Sequence, residues 1–92
     1  MLTDEHVKSL ILHKLFIRKC WGGKHTSSDN LKKGIKVQEL GKEGFKRVDK
    51  ISKDLIKDGV LLAKHTHYGL EVSLNPRLSQ EITLLIRKYF TD

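Results

Sequence analysis

Apolar residues recur with a helical period in three long stretches of this chain. In the first, residues 3–21, Val7, Leu10, Ile11 and Leu15 follow that period. Leu12, Phe16 and Ile17 widen the apolar face beyond one stripe, which predicts a helix that is surrounded or that forms an interface. Thr3 is placed to cap it, and Asp4 and Glu5 stand in the first turn, where they favour the helix dipole. Gly22-Gly23 is expected to end it. A short helix follows over "SDNLKK", residues 28–33, with Thr26, Ser27 and Ser28 as candidate caps and Gly34 as its stop. Residues 35–44 contain two glycines and no clear period. They read as a connector with Ile35, Val37 and Leu40 packing inward.

The clearest amphipathic pattern lies in "FKRVDKISKDLIKD", where Phe45, Val48, Ile51, Leu55 and Ile56 share one side and Gly59 terminates the helix. "VLLAK" and "LEVSL" then read as two strands separated by "HTHYG", a β-hairpin with Gly69 supplying a positive φ in the turn. Asn75-Pro76 gives a cap and a first-turn proline for a last helix, in which Leu78, Ile82, Leu85, Ile86, Tyr89 and Phe90 fall on one face. The predicted fold is therefore α+β, mostly α: three helices, a hairpin over residues 60–74 and a C-terminal helix, as a single domain over residues 1–92. Three helices followed by a hairpin is the order of a winged helix-turn-helix, with the third helix as recognition helix and the hairpin as wing.

Charge sharpens this picture. The chain has 18 Lys and Arg against 11 Asp and Glu, a net charge of +7. Residues 1–64 carry 15 basic and 8 acidic side chains, whereas residues 65–92 carry 3 of each. The positive field belongs to the first two thirds of the chain and favours a polyanion, nucleic acid being the commonest. At about 100° per residue, Lys46, Lys50, Lys53 and Lys57 fall within an arc of about 60° on the third helix, opposite its apolar side. Four lysines in one row repel each other, and phosphates along a groove would relieve that repulsion. Lysine is a point charge, so this row suits affinity and register; Arg47 beside it is the better candidate for a base edge.

Other chemistry is less well supported. Cys20, the single cysteine, reads as a small buried hydrophobe. Cys20, His25, His65 and His67 contain zinc-type ligands, but Cys20 and His25 lack any recognised finger spacing, so no metal and no cofactor are expected. His65 and His67 lack a carboxylate cluster for nuclease chemistry, and "WGGKHT" lacks the spacing of a phosphate loop, so no enzymatic activity is expected. Trp21 and Phe45 read as core, and His6 and His13 as ordinary surface or boundary residues. No apolar run approaches the ~20 residues of a membrane span, and "MLTDEH" lacks the positive start of a secretory leader. A cytoplasmic protein is the expectation.

"HTSSDNLKKGI" together with "VDKISKDLIKDGVLLAKHTHYGLEVSLNPRLSQEI" resembles small uncharacterised winged-helix proteins of archaea and archaeal viruses. The shared elements are His25, Thr26, Asp29, Asn30, Leu31 and Gly34, then Leu55 to Gly59, then Tyr68, Gly69 and Val72 to Pro76; they cover residues 24–83. The resemblance implies a winged helix, DNA binding, and neither enzymatic activity nor a cofactor. The expected function is a double-stranded DNA-binding protein, a small transcription regulator, with the basic helix 43–58 in the major groove. Arg47 and Lys46 would lie nearest the bases. Lys50, Lys53, Lys57, Lys42, Lys32 and Lys33 would serve the backbone, and Lys64, His65, His67 and Tyr68 the adjacent minor groove or backbone. Acidification is expected to strengthen the contact of the two wing histidines with phosphate. The apolar surplus on the first and last helices predicts a homodimer. The alternatives are a protein-docking module of transcription or replication machinery, or RNA binding through the same lysines.

Overall fold

The protein is described here by a computed structural model over residues 3–35 and 44–90. Helix α1, Asp4–Ile17, opens on Thr3, whose Oγ1 accepts the His6 amide at 3.1 Å. It closes before the expected Gly22-Gly23. Lys19 adopts a φ of 57°. This lets the Cys20 amide donate to the Leu15 carbonyl at 3.0 Å and the Lys19 amide to the Phe16 carbonyl at 3.0 Å. These are the two bonds of a Schellman end, with Cys20 buried in the hydrophobic core alongside Leu15. A lysine here strains a left-handed backbone that glycine would adopt freely. Lys19→Gly should therefore gain about 1 kcal/mol, read as a rise of ~4–8 °C in melting temperature. An unchanged or lower melting point would show that the lysine is not strained.

Ser27 caps helix α2, Ser28–Gly34, by accepting the Asn30 amide at 3.0 Å. With Thr26, Ser27 also forms strand β1, which the sequence pattern did not indicate. Helix α3 spans Gly44–Lys57 and ends as α1 does: the Val60 amide bonds the Leu55 carbonyl at 2.9 Å, and the positive φ falls on Gly59. The inward packing expected of Val37 and Leu40 lies outside the described residues; Ile35 is buried.

Strands β2, Leu61–Thr66, and β3, Gly69–Leu74, form the expected hairpin. They reach further than "VLLAK" and "LEVSL", so "HTHYG" is not a five-residue loop. His65 pairs with Leu70 and Thr66 with Gly69, leaving His67 and Tyr68 as the turn. Gly69 takes the positive φ, 112°, and Thr66 Oγ1 donates to its carbonyl at 2.8 Å. β1 pairs antiparallel with the other side of β3, Thr26 opposite Val72, so β3 is the middle of a three-stranded antiparallel sheet. Asn75 joins the hairpin to the end of α3: its Nδ2 donates to the Gly59 carbonyl at 2.8 Å, while its Oδ1 caps the 3-10 turn Pro76–Leu78. Helix α4, Ser79–Tyr89, follows.

The described residues thus make a mostly helical α+β domain of four α-helices and one small sheet. α1 is its centre, touching α2, α3, α4 and β3. Val7, Ile11, Leu12 and Leu15 are all buried, so the central stripe of this helix is covered by its own chain. Phe16 and Ile17, two of the three residues that widen its apolar face, remain exposed, as does Leu84 on α4. Stacked ring pairs, His6 on Tyr89 at 4.5 Å and His13 on Phe90 at 4.0 Å, fasten the end of α4 to α1. No helix among the described residues is long and apolar enough to cross a membrane.

Candidate nucleic-acid interface

α3 buries Val48, Ile51, Ser52 and Leu55 against the core, and the helical period then forces Lys46, Lys50, Lys53 and Lys57 outward. All four are exposed. The flanks of the row are set by neighbouring helices. On one side, Arg47 Nη2 donates to Asp4 Oδ1 at 2.8 Å, closing the seam between α3 and the start of α1. On the other, Asp49 accepts from Lys32 of α2 at 2.7 Å and from Lys53 at 3.1 Å.

This divides the expected contact residues into two groups. Lys46, Lys50 and Lys57 have no carboxylate within ion-pair distance among the described residues, and neither has Lys33. Lys32 and Lys53 share Asp49. Arg47 is not a free base reader: its guanidinium is engaged by Asp4, and Nη1 is buried without a partner among the described residues. Sequence spacing put Arg47 beside the lysine row but could not show that the first turn of another helix lies against it. Lys42 lies outside the described residues.

Electrostatics follow this geometry. The Arg47 hydrogen bond holds the Asp4 carboxyl below its ordinary range, and Lys50 and Lys8 add to the positive field there. Lys8, on α1, is thus a further cation of this surface, missed because nothing in the spacing joins it to α3. Hydrogen bonds from Lys32 and then Lys53 lower the Asp49 carboxyl in the same way. A carboxylate lowered on folding stabilises the fold above its unfolded value, here 3.8, and loses that contribution as the pH falls through its folded value.

Asp49 also competes with any external anion for its two lysines. Asp49→Asn should therefore tighten binding of a nucleic acid about fivefold in a fluorescence-anisotropy titration at low salt. It should also lessen the loss of stability below about pH 3.8. An unchanged dissociation constant would remove Lys32 and Lys53 from the contact surface.

On the hairpin, Lys64, His65, His67 and Tyr68 are all exposed, Tyr68 at 95%. Lys64 stands opposite Glu71 across the sheet. The histidines belong to the far end of the hairpin. Cys20 is buried, and its carbonyl accepts the Leu74 amide at the other end of β3, about 16 Å along the strand from Gly69. Cys20 and the hairpin histidines are therefore not brought together, and no group of three His, Cys, Asp or Glu among the described residues is placed to hold a metal.

Phe45 is not the core residue that its phase on α3 predicted. It is 50% exposed. With Asp29, Lys32, Lys33, Lys46 and Asp49 it lines an open groove of about 430 Å³ between α2 and α3. Comparison with protein-family models, with curated proteins and with solved structures finds no match for this chain, so the resemblance to archaeal winged-helix proteins stands on its quoted residues alone.

Proposed function

We propose that the chain is a winged-helix double-stranded DNA-binding protein, a small transcription regulator that grips the phosphate backbone more than it reads bases. The observation that carries this reading is the row Lys46, Lys50 and Lys57, exposed on α3 and unpaired among the described residues. These three ammonium groups repel one another along the row, and phosphates spaced along a groove would relieve that repulsion. With Arg47 tied to Asp4, the exposed edge of α3 offers ammonium groups and not planar forks. Such an edge supplies affinity and register with little sequence choice. Lys33 on α2, Lys8 on α1 and Lys64 on the hairpin extend the positive surface to either side, and Tyr68 with the two wing histidines would meet the adjacent backbone or minor groove.

The competing reading is a winged helix that docks on a protein; the exposed Phe45, Leu62 and Tyr68 are the residues that would favour it. A mobility-shift series across salt separates the two. Backbone binding predicts a slope of log K against log salt of about −0.9 for each phosphate neutralised, whereas docking on protein predicts no DNA affinity beyond that of any basic chain. RNA competed against DNA in the same series tests the remaining polyanion.

A further inference from the structure

Phe45 stays half exposed on a helix whose other inward residues, Val48, Ile51 and Leu55, are exposed by 3% or less. An aromatic ring left in water is unfavourable unless something covers it. The rim of its groove narrows what that can be. Lys33 and Lys46 are exposed there without an ion-pair partner among the described residues, and Asp29 is an exposed acceptor. Lys32 and Asp49, the remaining lining groups, are engaged with each other.

A free phosphate would meet the lysines and leave the ring uncovered. An apolar side chain would cover the ring and leave the ammoniums unanswered. A nucleotide meets both: its base stacks on the ring, its phosphate meets the ammoniums, and an exocyclic amino group can donate to Asp29. Within a continuous duplex both faces of every base are already stacked, so the base must be unpaired. We propose that the α2–α3 groove takes an unpaired nucleotide, with its base on Phe45 and its phosphate on Lys33 and Lys46. This rests on the nucleic-acid reading above and adds to it a preference for DNA carrying a single-stranded tract.

The test is fluorescence anisotropy with a labelled twelve-nucleotide oligodeoxycytidylate, whose bases carry the exocyclic amino group, and a labelled blunt duplex of equal length. Phe45→Ala and Phe45→Leu should each weaken single-strand binding about tenfold and leave duplex binding within about twofold, while Phe45→Tyr should keep both. Phe45→Leu retains apolar bulk, so circular dichroism should show a folded protein in which only the ring is lost. Unchanged single-strand binding in both variants, or an equal loss on both probes, overturns the proposal. If Lys46→Glu with Lys50→Glu loses the duplex while Phe45→Ala keeps the single strand, this inference alone falls; if the lysine variant binds the duplex as the parent does, the nucleic-acid reading falls with it.

Discussion

Lys46→Glu combined with Lys50→Glu should weaken duplex DNA binding by two orders of magnitude or more. Each substitution removes a cation from the exposed row of α3 and would set an anion against the phosphates of a bound duplex, so repulsion would add to the lost contacts. Neither side chain has an ion-pair partner among the described residues, and both are exposed. Folding stability should therefore stay within about 0.5 kcal/mol of the parent. The salt dependence adds an independent reading: losing two phosphate contacts should flatten the slope of log K against log salt by about 1.8. The charge-matched control is Arg77→Glu with Arg87→Glu, at the start and end of the C-terminal helical segment and likewise exposed. It changes net charge equally and should weaken binding only several-fold. Equal losses in the two variants would mean that net charge alone, and not the α3 row, drives association.

Leu31→Ala should cost about 3 kcal/mol of folding stability. Leu31 is the only apolar residue of α2 and is fully buried, at 0% exposure. The rest of that seven-residue helix is polar or glycine, and a helix so short does not persist without its packing. For a chain of this size the loss corresponds to a fall of ~12–24 °C in melting temperature, which calorimetry would show directly. It is a large share of the 5–15 kcal/mol typical of a native domain. The substitution also reaches the candidate interface, because α2 carries Lys32 and Lys33 and meets α3 through the Lys32–Asp49 pair. A fall of under 1 kcal/mol would show that Ser27 capping and the Asp49 pair hold α2 without Leu31.

The residues that were legible in advance are those whose placement depends on near neighbours. Thr3 and Ser27 cap helices because a short hydroxyl side chain reaches an amide three residues on. Gly59 and Gly69 end a helix and turn a hairpin because only glycine adopts a positive φ without strain. The 3.6-residue period put Lys46, Lys50, Lys53 and Lys57 outward as soon as Val48, Ile51 and Leu55 faced the core. The errors have one origin as well. Lys19 took a left-handed backbone that its side chain disfavours because burying Cys20 and closing the end of α1 outweighed the strain. Phe45 has the phase of a core residue, but it stands in the first turn of α3, beside an open groove against α2.

By itself the sequence determined the order of the four described helices, the hairpin, and a basic edge on the amphipathic helix, but not strand β1. These follow from periodicity and turn chemistry, which act over a few residues. Tertiary structure alone decided which cations are free. Arg47 is held by Asp4, 43 positions away, and Lys32 and Lys53 converge on Asp49, while Lys46, Lys50 and Lys57 stand without an ion-pair partner among the described residues. It also decided that β3 is flanked by Thr26 and Ser27, and that α1 buries Val7, Ile11, Leu12 and Leu15 within its own chain while Phe16 and Ile17 stay exposed. Charge pairing and burial depend on which helices come side by side, and residue spacing along one helix carries no information about the neighbour across the seam.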